Sequence, residues 1–122
     1  MDLMSLYFSP NGRIPRKVFW LASLPLYALF ILADVLTKDG VSLETAVLVS
    51  IVLLAMVVPS YVLCIKRSHD RDKSGWFVLI SFIPVIGPIW LLVELGFLRG
   101  SEGENRFGPD PLVARSAALA TS

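Results

Sequence analysis

The densest group of side chains that could carry chemistry lies at residues 66–76, and it holds the only histidine, His69. A metal site would need further His or Cys ligands, and the single cysteine, Cys64, cannot form a Cys cluster. Ser68, His69 and Asp70 supply the residue types of a catalytic triad, but sequence neighbours rarely reach triad geometry. We therefore expect no catalytic residue, no metal and no cofactor. An enzyme centred on His69 and Asp70 is the least favoured alternative.

A structural interpretation of this segment is stronger, because basic residues that end an apolar helix can extend their charged groups to lipid headgroups. We predict a cytoplasmic cluster in which Asp70 orients an arginine, with Arg13 as its partner. The remaining cations would contact anionic lipid, each contributing roughly 1 kcal/mol. The predicted cluster consists of Arg13, Arg16, Lys17, Lys66, Arg67, His69, Asp70, Arg71, Lys73 and Trp76.

The composition of the chain indicates where these residues must be held. Of its 122 residues, 55% are apolar and 17% are charged, and the mean hydropathy is +0.69. Soluble domains are less apolar and carry about 25% charged residues. The net charge of +1 gives no reason to expect a nucleic-acid partner. The composition therefore indicates one membrane domain.

Three segments with almost no charge predict the elements of that domain. They cover about residues 18–36, 43–65 and 75–98, each close to the roughly 20 residues that span a bilayer as a helix. We expect an all-α, polytopic protein with three transmembrane helices and a short N-terminal interfacial helix. The membrane domain would comprise residues 1–113. Residues 114–122 are expected to form a disordered tail.

The third predicted span contains two prolines around a glycine, at Pro84, Gly87 and Pro88. Proline removes a backbone donor and clashes with the preceding turn, so we expect a kinked helix. The alternative is a re-entrant hairpin, which would return Glu94 and the tail to the cytoplasmic side.

The distribution of Lys and Arg favours a cytoplasmic N-terminus, with seven basic residues inside and four outside if three spans cross. In that arrangement Asp34, Glu44 and Glu94 would meet at the outer face. Carboxylates near a membrane interior are candidates for function. A transport or channel component that uses these three residues is therefore the alternative to lipid or partner binding.

Four short motifs, taken in order, resemble the domain of unknown function 805 family of small bacterial inner-membrane proteins. They are GRIPRKVFW at residues 12–20, RSHDRDKSGWF at 67–77, IPVIG at 83–87 and GENRFGPDP at 103–111. The resemblance implies a multi-pass plasma-membrane protein and no catalytic residues. It marks as positions to test Arg13, Arg16, His69, Asp70, Gly75, Trp76, Asn105, Gly108 and Pro109.

The chain departs from the family pattern at two positions. Ser68 stands where the family usually has a large apolar residue, and Asp72 often replaces a glycine. We therefore expect a less tightly docked loop and question a glycine-dependent turn after Asp70. The leading hypothesis is a non-enzymatic protein of the bacterial inner membrane. Its expected partners are anionic lipid headgroups, a membrane protein or a second copy of the chain.

Overall fold

The computed structural model describes residues 2–113, which form helices and loops with no β-strand. The expected disordered tail, residues 114–122, lies outside the described residues. The helices are α1 (Leu3–Phe8), α2 (Arg16–Thr37), α3 (Leu43–Asp70), a 3₁₀ helix (Gly75–Phe82) and α4 (Ile86–Leu91), which continues as a π-helix (Leu92–Phe97). The predicted all-helical class is confirmed.

Helices α2 and α3 form an antiparallel pair that contains the first two predicted spans. Their 22 and 28 residues correspond to about 33 and 42 Å, enough to cross a hydrocarbon core about 30 Å thick. Gly40, at φ +93°, lies in the tight connection, and the Ser42 side chain accepts a hydrogen bond from the Thr45 N–H at the start of α3. The structure thus contains two helices that are long and apolar enough to span a membrane.

The side chains of these two helices distinguish them from the core helices of a soluble protein. Leu43 and Leu54 are 79% and 74% exposed, and Ile31 and Leu36 are also exposed. Large apolar side chains that lie in a core are buried, and exposed patches of this extent mark a surface that water does not cover. The exterior of the helix pair is therefore suited to hydrocarbon.

The third predicted span is not confirmed as a membrane-crossing helix, because residues 75–97 form a hairpin. The 3₁₀ helix ends before Pro84, which lacks an N–H donor, and Val85 takes φ +66°. The chain then reverses into α4. Gly87 packs directly on the first arm, since a Cβ atom there would lie 1.8 Å from the Ile80 carbonyl oxygen.

Contacts with α3 show that both ends of the hairpin lie at the same end of the molecule. Gly75 lies beside Ile65, and the Arg67 guanidinium donates to the Leu95 carbonyl at 2.6 Å. Deeper in the hairpin, the Tyr61 and Ser81 hydroxyls are 2.9 Å apart. Tyr61 lies nine residues before the end of α3, or about 14 Å along the axis. The hairpin thus has the shape of the re-entrant alternative.

The predicted short N-terminal helix is present as α1. The Asp2 carboxylate caps it by accepting the Ser5 N–H at 2.7 Å. The Tyr7 hydroxyl donates to the Ala22 carbonyl at 2.9 Å, beside a small core of Ile14, Ala22 and Leu63. This helix is therefore packed against the beginning of α2 and the end of α3.

Candidate functional site

The last turn of α3 carries a buried ion cluster formed by Arg13, Arg67 and Asp70. Asp70 is 3% exposed and Arg67 is 0% exposed. The Nε of Arg13 lies 2.8 Å from Asp70 Oδ1, and Nη1 of Arg67 donates to Oδ2. The predicted Arg13–Asp70 pair is confirmed. The carboxylate serves two arginines, because Arg67 lies one turn before Asp70 on the same helix face.

The remaining arginine donors bind backbone carbonyls of the C-terminal loop, residues 98–110. Arg13 donates to the carbonyls of Ser101 at 2.5 Å and Gly103 at 2.8 Å. Arg67 donates to Leu98 as well as to Leu95. Each buried guanidinium is thereby satisfied, as a charge removed from water requires. The cluster fastens the C-terminal loop and the hairpin to α3.

Gly100 permits the close approach of this loop to Asp70. A Cβ atom at Gly100 would lie 1.9 Å from Asp70 Oδ2, which no real side chain could tolerate. The next residue, Ser101, donates its backbone N–H to the Asp70 carbonyl at 2.7 Å and its hydroxyl to the same oxygen at 3.0 Å. Asp70 thus binds the loop through its backbone as well as its carboxylate.

His69 joins two segments of the chain, the N-terminal flank and the C-terminal loop. Its Nδ1 lies 2.8 Å from the Gly12 carbonyl, and its ring stacks on Phe107 with centroids 3.9 Å apart. The Asn105 side chain donates to the His69 carbonyl at 2.8 Å. The neighbouring Ser68 hydroxyl donates to the Cys64 carbonyl, away from a triad arrangement. In residues 2–113, no three His, Cys, Asp or Glu side chains are grouped to hold a metal ion.

The turn after Asp70 forms without glycine, at the two positions where the chain departs from the family pattern. Asp72 takes the left-handed conformation, with φ +56°, and its carboxylate accepts from Arg106 Nε at 3.2 Å. Ser68 is fully buried, and its carbonyl accepts the Lys73 N–H at 2.8 Å. The small Ser68 side chain therefore fits beneath the loop, and the turn needs no glycine.

The structure corrects the predicted position of Glu94. Its carboxylate lies 2.9 Å from Arg71 Nε and 3.7 Å from Lys73 Nζ, at the end of the molecule that holds the ion cluster. Asp34, near the end of α2, and Glu44, near the start of α3, both lie at the other end of the molecule. The predicted group of three outer carboxylates does not form, because the hairpin returns Glu94 to the other side.

The ten residues of the predicted cluster separate into a buried group and a more accessible group. The buried members are Arg13, Lys66, Arg67, His69 and Asp70. Lys66 donates to the Ser5 carbonyl in α1. The accessible members are Arg16, Lys17, Arg71, Lys73 and Trp76. Lys73 and Arg71 flank Glu94, and Trp76 is 78% exposed at the start of the hairpin.

The hairpin also redistributes charge between the two ends of the molecule. Of the ten Lys and Arg within residues 2–113, nine lie at the end with the ion cluster, and Lys38 lies at the other. Seven carboxylates share the cluster end: Asp2, Asp70, Asp72, Glu94, Glu102, Glu104 and Asp110. The net positive charge at the cluster end is therefore smaller than the sequence suggested. The difference in the number of Lys and Arg between the two ends is larger.

Sequence reasoning missed Asp110 as part of the site. Its carboxylate accepts backbone N–H groups from Gly103 at 3.0 Å and Leu112 at 2.9 Å. These donors, the Gly103 N–H first, hold the pKa of the Asp110 carboxyl below its ordinary value. The signal available was the run of turn-forming residues around Gly108 and Pro109, which indicates a folded loop.

Comparison with known proteins now gives the family. The model of the family described as "Protein of unknown function (DUF805)" matches residues 7–109, which include the N-terminal flank, both long helices, the hairpin and most of the C-terminal loop. The chain belongs to the DUF805 family.

Three curated proteins are similar to this chain over nearly its whole length. Inner membrane protein YhaI of Escherichia coli (strain K12) is 34% identical over 112 residues, covering 91% of this chain and 92% of YhaI. Inner membrane protein YhaH of the same strain is 32% identical, covering 91% of this chain and 93% of YhaH. The uncharacterized protein YiiR is 27% identical, with 90% of each chain covered. No solved structure matches this DUF805 chain.

Proposed function

We propose that this protein is a non-enzymatic, multi-pass protein of the bacterial plasma membrane whose accessible basic and aromatic residues bind anionic lipid headgroups. The observation that carries the proposal is the separation of buried from accessible charge at one end of the molecule. Arg13, Arg67 and Asp70 hold the fold together, whereas Arg16, Lys17, Lys73 and Trp76 remain accessible where the helices would leave the bilayer. We call these last four residues the cationic rim.

The proposed topology has two membrane-crossing helices and a re-entrant hairpin. Nine Lys and Arg lie at the end with the ion cluster, and one lies at the other end. This asymmetry favours the end with the ion cluster as the cytoplasmic one. Both termini of the described chain would then lie in the cytoplasm. In lipid, backbone groups must be satisfied internally, and a hairpin is tolerated where it packs on other helices. Here it packs on α3 through Tyr61 and Ser81.

The character of the rim supports lipid contact. Trp76 is largely exposed at the first turn of the hairpin, and indole rings favour the headgroup level of a bilayer. Lys73 Nζ lies 5.0 Å from the centre of the Phe77 ring, so an apolar ring borders the cation. Arg16 and Lys17 occupy the first turn of α2 and are exposed. Such a boundary suits negatively charged headgroups.

The arrangement of His69 supports a non-enzymatic role. Its Nδ1 is engaged with the Gly12 carbonyl and its ring face is covered by Phe107. The hydroxyl of Ser68, the nearest nucleophile in sequence, is bonded to the Cys64 carbonyl. Transport by a group of three outer carboxylates is not supported, because Glu94 lies away from Asp34 and Glu44.

Lipid co-purification tests the rim. The full chain is isolated with its native lipids, and the bound phosphatidylglycerol is measured per protein. We expect the Lys17→Gln, Lys73→Gln double variant to lose bound phosphatidylglycerol, by about fivefold for each cation, and high salt to produce a similar loss. The matched control, Lys38→Gln at the other end, should retain the wild-type amount. Equal retention in the rim variant and the control would contradict the proposal.

A further inference from the structure

A groove runs along the side of the helix pair where α2, α3 and the hairpin meet. It consists of two adjacent cavities of about 300 and 230 Å³. Residues shared by both cavities are Phe19, Tyr27, Ser60, Tyr61 and Cys64. The hairpin forms one wall with Pro88, Leu91 and Leu95. The two cavities are thus sections of one groove at the depth of the hairpin.

The hydroxyl groups of four residues along the groove, Ser23, Ser60, Tyr61 and Ser81, are bonded within the protein. Ser23 donates to the Phe19 carbonyl at 2.7 Å, and Ser60 donates to the Met56 carbonyl at 2.8 Å. The Tyr61 hydroxyl is paired with Ser81. These groups therefore need no hydrogen bond from an occupant of the groove. The rest of the lining is largely aromatic and aliphatic. An apolar occupant fits this chemistry.

Two apolar occupants are a transmembrane helix, of a partner or of a second copy, and the hydrocarbon chain of a lipid. A helix with its side chains is about 10 Å across, whereas a single hydrocarbon chain is thinner and can follow the groove along α2. The charge at one end of the groove favours the lipid.

A basic residue, Arg16, lies at the end of the groove that would face the lipid headgroups. Arg16 lies three and seven residues before Phe19 and Ser23, and therefore on the face of α2 that lines the groove. Its Nη1 donates to the Phe97 carbonyl at 2.8 Å, which fixes the guanidinium beside the end of the hairpin. Arginine has five N–H donors, so further donors remain for a phosphate. Lys17, the next residue, faces elsewhere on the helix.

We propose that the groove holds one acyl chain of an anionic phospholipid whose phosphate is bound by Arg16. The charge of Arg16 complements the phosphate, and the lining from Phe19 inward complements the chain. This inference rests on the proposed membrane function, but it assigns a single site instead of general attraction to the rim. The site joins α2 to the hairpin through the lipid.

Trp20 provides a reporter, because it lines the groove and donates to the Gly96 carbonyl at 2.7 Å. The full chain with Trp76→Phe and Trp90→Phe, in which Trp20 is the remaining tryptophan, is placed in phosphatidylcholine vesicles. A fixed small fraction of the lipid carries bromine on its acyl chains, with either a phosphatidylglycerol or a phosphatidylcholine headgroup. Bromine quenches tryptophan only on close contact. We expect brominated phosphatidylglycerol to quench Trp20 at roughly fivefold lower mole fraction.

Two pairs of variants test the headgroup site and the chain site separately. Arg16→Gln should abolish the preference for phosphatidylglycerol, whereas Lys38→Gln, at the other end of the molecule, should retain it. Val57→Phe places a ring into the groove from a partly exposed position and should reduce quenching by both lipids. Ser60→Phe, a second groove-filling variant, should act in the same way. A folded Val57→Phe protein is recognised by unchanged resistance of its C-terminal loop to protease.

Equal quenching by the two lipids in the parent protein would overturn the proposed site, and so would a preference that survives Arg16→Gln. If the preference instead disappears in Lys17→Gln, the rim binds anionic lipid and the groove does not. A third outcome separates the two proposals. If preferential quenching of Trp20 by phosphatidylglycerol depends on Arg16, but the amount of co-purified phosphatidylglycerol does not change in the Lys17 and Lys73 variants, the groove site is supported and lipid binding by the cationic rim is contradicted.

Discussion

The two ends of α3 distribute their side chains in opposite ways. Near its start, Leu43, Leu48 and Leu54 are exposed to the surroundings of the protein. In its last turn Lys66, Arg67 and Asp70 are buried beneath α1, the hairpin and the C-terminal loop. In water both patterns would be unfavourable, since apolar surface is normally covered and charges are rarely buried. In a bilayer the first end meets hydrocarbon.

Helix α3 is thus adapted to two environments. Its apolar part needs only lipid around it, whereas its polar end needs partners for every charge. The guanidiniums of two arginines share the Asp70 carboxylate. Their other N–H groups donate to the backbone carbonyls of Leu95, Ser101 and Gly103. Buried ions are tolerated when hydrogen bonds replace water in this way. The ion cluster therefore organises this end of the fold.

Removal of the carboxylate at the centre of the ion cluster should have the largest effect. We expect Asp70→Asn to destabilise the folded chain by about 3–5 kcal/mol, because Arg13 and Arg67 would remain buried without a counter-charge. The measurement is the unfolding midpoint in mixed detergent, together with protease cleavage within residues 98–110. The exposed pair Arg99–Glu102 supplies the control, and Glu102→Gln should change stability by less than about 1 kcal/mol.

A charge exchange sharpens the same point. In an isolated ion pair, Arg13→Asp combined with Asp70→Arg would restore much of the lost stability. Here the exchange leaves Arg67 facing an arginine in place of Asp70, so the double variant should recover only a small part of the stability lost in Asp70→Arg. Recovery of wild-type stability by the double variant would show that Arg67 does not share Asp70.

The hairpin supplies the next largest effect. Gly87→Ala introduces a Cβ atom 1.8 Å from the Ile80 carbonyl, so the two arms must separate. We expect a loss of about 1–3 kcal/mol and increased cleavage of the C-terminal loop, measured as for Asp70. Gly40→Ala is the matched control: no atom lies within 4 Å of its Cβ position, although its φ of +93° disfavours alanine. If Gly40→Ala is the more damaging change, the arms are not in close contact.

Much of the fold could be predicted because charge gaps and hydropathy are local properties of the sequence. The helices α2 and α3, the short α1 and the Arg13–Asp70 pair follow from them. The path of residues 75–97 could not be decided, because Pro84 and Pro88 permit both a kinked span and a hairpin. The position predicted for Glu94 depended on that path and was therefore wrong. The binding of loop carbonyls by Arg13 and Arg67 depends on backbone geometry that residue types do not encode.

The turn after Asp70 offers a smaller and stabilising change. Asp72 holds φ +56°, which glycine adopts without strain, and its contact with Arg106 is exposed. We expect Asp72→Gly to raise stability by about 0.5–1 kcal/mol, measured as the unfolding midpoint. Asp72→Ala removes the same carboxylate but keeps the strained backbone, so it should be less stable than wild type. Equal stability of the two variants would mean that backbone strain does not matter there.

The smallest effect concerns pH. Because the pKa of Asp110 is lowered in the fold by the N–H groups of Gly103 and Leu112, its contribution to stability is present above its unfolded pKa of about 4. It is lost as pH falls through the lower folded value. We expect residues 98–110 to become more sensitive to pepsin below about pH 4, and Asp110→Asn to show high sensitivity with less pH dependence. A loop whose sensitivity is the same at pH 3 and pH 5 would contradict this.

We propose that the hairpin enters and leaves the membrane on one side, so that both ends of the described chain are cytoplasmic. Two reporters fused after Val113 test it directly: green fluorescent protein, which fluoresces when folded in the cytoplasm, and alkaline phosphatase, which is active in the periplasm. The account predicts a fluorescent fusion and an inactive phosphatase. An active phosphatase with a dark fluorescent fusion would show that residues 75–97 cross the membrane.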